Sequence, residues 1–271
     1  MSNSAQSTEF VSGKARVHVF ESPAALGNAA AEKAAALIKS GIERRGRARV
    51  IVATGNSQLA LIEELVKKDV NWSAVEIFHM DEYAGMKAGH AASFRRWIKT
   101  RVEDKVHPAK ANYLAGDATD LDAEIERYSR LLNKAPIDLA FVGFGENGHI
   151  AFNDPHVADF NDPATVKRVT LDERCRRQQA GEGHFKDIES VPAEALTVTC
   201  SGLFRAEAWV CAVPDRRKAE AVRGALEGPI SETCPASLVQ NHPDANVYLD
   251  RESASLLSTS RNAASLAADS R

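Results

Sequence analysis

Apolar residues recur along this chain in two alternating rhythms. Ala15–Phe20 (ARVHVF) switches between apolar and polar positions, the period of a half-buried strand. Ser22-Pro23 follows, an N-cap residue with proline in the first helical position. Beyond it Leu26, Ala30, Ala34, Leu37 and Ile38 keep helical spacing, and Gly46 after Arg44-Arg45 marks a stop. A strand over Arg49–Ala53 is broken by Thr54-Gly55-Asn56-Ser57, after which Leu61, Ile62, Leu65 and Val66 resume the helical period. Val75–Met80 reads as a strand, Ala91–Val102 as a helix, and Asp120 as the cap of a helix burying Ile125, Tyr128, Leu131 and Leu132. Leu139–Val142 is short and wholly apolar, which suits a parallel strand covered on both faces. Later strands fall at Leu196–Cys200, Trp209–Pro214 and Val247–Asp250, with a helix from Asp215.

This alternation predicts an α/β fold: a single three-layer domain with a central, mostly parallel sheet of Rossmann-like topology. Residues 1–13 read as a flexible N-terminal tail, 14–252 as the domain, and 253–271 as a Ser- and Ala-rich C-terminal tail. Pro155–Ser190 shows little sheet pattern and many charges, and reads as a lid inserted in the domain. In such folds ligands sit at the carboxyl ends of the strands, where the breaks of interest lie.

Composition narrows the partners. With 34 Lys+Arg against 37 Asp+Glu in 271 residues the net charge is -3, which argues against a nucleic-acid binder. No stretch approaches the roughly 20 apolar residues of a membrane helix. The cysteines, Cys175, Cys200, Cys211 and Cys234, form no C-x-x-C pair, and two sit in apolar runs. A reducing, cytoplasmic location is expected. A homo-oligomer stays open.

Several segments carry candidate chemistry. Thr54, Gly55, Asn56 and Ser57 join a strand to a helix, where a glycine admits an anion to backbone N–H groups and the helix adds partial positive charge. An ordinary βα turn with a serine cap explains the same residues. Asp215-Arg216-Arg217-Lys218 places cations in a helix's first turn, opposing its dipole by about 0.3–1 kcal/mol each. Bound phosphate would reverse that sign. Arg216 and Arg217 read as solvated, whereas Lys218, next to the apolar face of Ala219, Val222 and Leu226, reads as an inward anion ligand. Asp81 and Glu82 end a strand, from where a carboxylate can act as general base; capping is the ordinary alternative. His79 has no second histidine at ligand spacing, so neither metal nor cofactor is expected.

Gly143-Phe144-Gly145-Glu146-Asn147-Gly148-His149 formally contains the dinucleotide fingerprint. That fingerprint must open a helix and belongs to the first βα unit, but this segment is mid-chain and Pro155 would end any helix within two turns. The glycines, Gly145 among them, instead let backbone approach a ligand. His149 then stands at the sheet edge as a proton-exchanging group, with Asn147 and Asp154 close enough in sequence to orient it.

Together, ATGNS (Ala53–Ser57), FHMDEY (Phe78–Tyr83), Gly143–Pro155, Asp172-Glu173-Arg174, Pro192–Thr197 and Lys218…Glu227-Gly228 resemble the glucosamine-6-phosphate deaminase/isomerase family, related in fold to the 6-phosphogluconolactonases. The resemblance spans Val17 to Asp250. It implies metal-free conversion of glucosamine 6-phosphate and water to fructose 6-phosphate and ammonium, a step of amino-sugar catabolism. It further implies that Asp81 moves the proton at carbon 2 and that His149 transfers a proton at the ring oxygen. Thr54–Ser57, Arg174 and Lys218 match the family's phosphate ligands, and Glu82 and Gly145 are expected as further substrate contacts.

Two residues depart from the family pattern: Asn147 stands where an aspartate is usual, and Asp154 where a glutamate is usual. Asp154 is expected to be the carboxylate partner of His149. Asn147 keeps a 6-phosphogluconolactonase or another metal-free sugar-phosphate isomerase in play. A non-catalytic sugar-phosphate sensor is a further alternative, although the strand beginning near Ala15 leaves no room for an N-terminal helix-turn-helix. The hexosamine-phosphate activator site of some family members is not recognisable after Pro155. Rates should therefore be hyperbolic in substrate; a sigmoidal curve abolished by N-acetylglucosamine 6-phosphate would contradict this.

Overall fold

The structure is a computed structural model that describes residues 7–258. Strands β1 (Thr8–Ser12) and β2 (Ala15–Phe20) form a hairpin around Gly13, which sits at φ 57°. Then come α1 (Pro23–Arg45), β3 (Ala48–Val52), a tight turn over Asn56–Gln58, α2 (Leu59–Leu65), β4 (Val75–His79) and β5 (Asp81–Tyr83). Next are α3 (Phe94–Ile98), which widens into a π-helical turn and continues as α4 (Asp104–Val106), then β6 (Lys110–Asn112), α5 (Leu121–Asn133) and β7 (Leu139–Val142). The remainder is β8 (Val166–Thr170), α6 (Glu173–Gly181), β9 (Glu194–Val198), α7 (Cys200–Phe204), β10 (Ala208–Val213), α8 (Ala219–Glu227) and β11 (Ala245–Asp250).

The main sheet has eight strands in the order β1-β2-β11-β10-β7-β3-β4-β6, parallel throughout except for the β1–β2 hairpin. Every residue of β3, β7, β10 and β11 is buried, as expected for parallel strands covered on both faces. Local sequence sets the helix ends. The Ser22 hydroxyl accepts from Ala25 N–H at 3.2 Å, and Gly46 closes α1 in the left-handed region at φ 72°. Asp120 caps α5 in the same way through Ala123 N–H.

Three expectations change. Residues 8–12, read as tail, pair with Ala15–Val19 of β2; their sequence hides this because Val11 faces solvent and Ser12 is the inward residue. Pro155–Ser190 is not a bare insertion: β8 and β9 join β5 in a second, antiparallel sheet of three strands, ordered β5-β9-β8, and α6 packs beside it. Its own small core comprises Tyr83, Phe152, Val169, Leu171, Cys175 and Ala195, among others, so its apolar partners come from distant sequence and leave no local rhythm. In the segment read as C-terminal tail, Ser253, Ala254 and Leu257 are buried; residues 259–271 lie outside the described residues.

A polar network ties the amino-terminal side of the sheet. Arg49, 4% exposed, sends its guanidinium to the carbonyls of Leu131 at 2.6 Å and Leu132 at 3.2 Å, in the last turn of α5, and also to Ala135. It lies 4.5 Å over the Phe78 ring and pairs with Glu76. Asp138 accepts from Arg49 N–H at 2.8 Å and pairs with Arg45. A cation here meets the negative end of the helix dipole and satisfies carbonyls that would otherwise be stranded. Arg49→Met should cost about 2–3 kcal/mol in urea denaturation, and Arg49→Lys should restore less than half, because one ammonium cannot span the carbonyls. A change under about 0.5 kcal/mol would remove this role.

Candidate active site

Four adjacent strands, β10, β7, β3 and β4, point their carboxyl ends at one cavity. The loop after β3 contributes Thr54 to Ser57, that after β4 Asp81, that after β7 Gly145 and His149, and that after β10 Lys218. From the second sheet's side, α6 adds Gln178 and Gln179 and its C-cap Glu182, while Phe94 and Phe152 form an apolar wall. The cavity encloses about 140 Å³.

Asp81 is fixed by the junction of the two sheets. It opens β5, opposite Thr197 of β9, and Val198 N–H donates to Met80 O at 3.0 Å. Only 6% exposed, its carboxyl is pushed up to about 8 by burial and then by the negative charge of Glu82. Glu82 does not face the cavity, contrary to expectation. It is fully buried behind it and caps α3, accepting from the Ser93 hydroxyl at 2.7 Å and from the N–H groups of Arg95 at 3.1 Å and Phe94 at 3.3 Å. Strand alternation turns neighbouring side chains to opposite faces, so Asp81 and Glu82 cannot both reach one ligand.

His149 lies against the backbone of Gly145, where an added Cβ would overlap the imidazole ring. Gly145 N–H donates to His149 O at 2.8 Å, closing the loop around the ring. Asp154, fully buried, places Oδ1 3.0 Å from His149 Nδ1, with the oxygen off the ideal N–H direction. Burial works to raise the Asp154 pKa. Hydrogen bonding and charge from His149, with the Asn147 amide and Asp172 N–H, outweigh it and hold the carboxyl below its ordinary value. Asn147 does not reach the ring. Its carbonyl accepts from His149 N–H at 3.0 Å and its amide donates to Asp154 at 2.9 Å. The segment after His149 is anchored to β9 through Asn153, whose amide donates to Val198 O at 2.9 Å, and through Phe152 N–H to the Thr197 hydroxyl at 3.1 Å. His149, Asp154 and Cys175 each bring a donor atom within 4.8 Å of the others. Burial, then Asp154 and Asp172, push the Cys175 thiol well above its ordinary pKa.

The opposite end of the cavity carries the cations. Gly55 adopts φ 92°, which a residue with a side chain rarely takes, and lets Thr54–Ser57 turn into the short helix before α2. Lys218 is 7% exposed; burial lowers its pKa, opposed by Glu146 and Glu182. No carboxylate among the described residues lies within ion-pair distance of it. Asp215, at φ 89°, accepts from Arg217 N–H at 2.9 Å and grips its guanidinium. Arg217, read as merely solvated, lines the cavity. Arg174, expected as a phosphate ligand, does not: its side chain is 55% exposed and turns to Glu220 at 3.6 Å. It sits in the first turn of α6, one turn before Gln178 on the same face of the helix, and Gln178 lines the cavity where Arg174 does not. The sequence did not single out Glu146, in the loop after β7, or Gln179 and Glu182, in and just after α6, because polar residues in a charged stretch leave no periodic signal.

These features place the protein among the α/β enzymes that work on small polar compounds. The sequence profile described as glucosamine-6-phosphate isomerases/6-phosphogluconolactonase matches residues 21–248, and the chain belongs to that family. It is 34% identical over 229 residues to a Listeria welshimeri protein named glucosamine-6-phosphate deaminase, covering 84% of this chain and 96% of the other. An Exiguobacterium sibiricum protein of the same name is 35% identical over 223 residues, 82% and 86% of the two chains. The solved structure of a monomeric glucosamine-6-phosphate deaminase superposes with a TM-score of 0.81 at 32% identity, over 89% of this chain and 99% of that one. A 6-phosphogluconolactonase from Shewanella baltica shares the fold at a TM-score of 0.71 and 20% identity, over 89% and 97%.

The raised Asp81 pKa has a consequence for stability. The folded protein keeps this proton to about pH 8, whereas an unfolded aspartate releases it near pH 3.9. Across that window the folded state binds more protons, so Asp81 makes stability fall as pH rises, by at most about 1.4 kcal/mol per pH unit. Asp81→Asn should flatten the decline between pH 5 and about pH 8 in chemical denaturation and gain most at the alkaline end. Parallel stability curves for the two proteins would contradict the assignment.

Proposed function

We propose that the protein converts glucosamine 6-phosphate and water to fructose 6-phosphate and ammonium. One observation carries the reading: relatives named as deaminases match at 34–35% identity over more than four fifths of the chain, whereas the Shewanella baltica lactonase shares the fold at 20%. The phosphate is read against Thr54–Ser57 and Lys218, with Arg217 rather than Arg174 as the additional cation. This orientation points the sugar toward His149 and Asp81.

The chemistry follows from the environments. His149, held by Asp154, gives a proton to the ring oxygen as the hemiacetal opens. Asp81 removes the proton from carbon 2 of the open aldose and returns it to carbon 1. The resulting imine at carbon 2 adds water and expels ammonia, which leaves as ammonium. A base with a pKa of about 8 suits this task, because a carboxylate at the ordinary value would be a far weaker proton acceptor. None of these steps calls for a metal or an organic cofactor.

A cytoplasmic location agrees with four unpaired cysteines, three of them buried, and with the lack of any described helix long and apolar enough to cross a membrane. A monomer is the assembly read here: among the described residues, the exposed large hydrophobics are Val11 and Ile230.

The test is ammonium release from glucosamine 6-phosphate by wild type and Asp81→Asn, with 6-phosphogluconolactone as the competing substrate. Wild type should release ammonium and Asp81→Asn should lose at least about 1,000-fold in kcat. Because only ionised Asp81 accepts the proton, kcat/KM should rise with pH up to about 8. Lactone hydrolysis without ammonium release would replace the deaminase by the lactonase.

A further inference from the structure

The side chain of Asn147 is fully engaged. One amide hydrogen goes to Asp154 Oδ1 at 2.9 Å, the other to Asp172 Oδ2 at 2.8 Å, and the carbonyl takes His149 N–H at 3.0 Å. The two carboxylates are themselves linked, since Asp172 N–H donates to Asp154 Oδ2 at 3.0 Å. Asp172 is also the N-cap of α6, accepting from Cys175 N–H at 2.6 Å. A single amide thus bridges the carboxylate that holds His149 to the carboxylate that starts the helix carrying Gln178, Gln179 and Glu182 to the cavity.

An ionised carboxylate has acceptors only. An ionised aspartate at this position would confront Asp154 and Asp172 at hydrogen-bond distance with nothing to donate. Among the other titratable groups around the cluster, Cys175 of α6 is a neutral thiol already turned to Asp154, exposed His156 has a ring nitrogen within 4.8 Å of both carboxylates, and Asp81, which lines the same cavity, is held protonated to about pH 8.

We infer that Asn147 and Asp172 form a coupled positioning pair for His149, in which the amide at 147 is demanded by the second carboxylate at 172. Replacing Asn147 by aspartate therefore disables this protein. The inference rests on His149 being the proton-transfer group of the proposed deaminase.

The experiment compares wild type, Asn147→Asp, Asp172→Asn and the double variant as full-length chains. Ammonium release is followed against pH, and the His149 imidazole is titrated by NMR without substrate. Asn147→Asp should lower kcat at least about tenfold with less than a threefold change in KM, and should raise the imidazole midpoint, because added negative charge favours imidazolium. In the double variant an asparagine at 172 still caps α6 and can donate to the new carboxylate, so at least about half of the loss in log kcat should return. A wild-type kcat and imidazole midpoint in Asn147→Asp, or a double variant no better than the product of the singles, overturns the pair. Should Asn147→Asp fail to fold, the double variant decides: folded supports the coupling, unfolded overturns it. If wild type releases no ammonium the deaminase reading falls, while the substrate-free titration still judges the pair.

Discussion

Parallel pairing of β10, β7, β3 and β4 is the constraint on which the rest depends. Parallel neighbours must all end on the same edge, so loops distant in sequence are delivered to one place. The cationic end comes from β10 and β3, the imidazole from β7 and the acid from β4. No local contact could bring them together. The buried ladder does, and it is secured at its opposite end by Arg49 and Asp138 against the last turn of α5.

The second sheet turns this shared edge into a site with unequal electrostatics. By pairing β5 with β9 it seals Asp81 from water while leaving one face to the cavity, which raises the acid's pKa. The same sheet anchors the chain after His149 through Asn153 and Thr197, so the imidazole and the acid are referenced to a common β9. Two carboxylates of similar burial are driven in opposite directions: Asp81, with Glu82 behind it, is raised, and Asp154, with His149 and an amide beside it, is lowered. Environment, not residue type, separates a proton acceptor from a charge partner.

Much of the scaffold was legible because its signals are local. Ser22, Asp120 and Gly46 act through groups a turn away, and Leu139–Val142 is wholly apolar because both faces of its strand are covered. The glycine-rich segment was legible as a close approach, although only the structure shows that the approaching group at Gly145 is His149 itself. Residues 8–12 and β8 were not legible: one is an edge strand held by backbone pairing, the other faces a core assembled from remote residues. Glu82 and Arg174 were misplaced because a run of polar residues does not say which side chain turns inward.

By itself the sequence determined the central strands and the helices that flank them, the caps, the loops that meet the sheet edge and the family resemblance, all of which rest on neighbours in the chain or on short motifs. The tertiary structure alone decided which residues of those loops face the cavity, that Arg217 rather than Arg174 does so, and that Asn147 answers to Asp172. These outcomes depend on strand pairing across long sequence separations and on the desolvation that pairing produces, neither of which has a local periodicity to read.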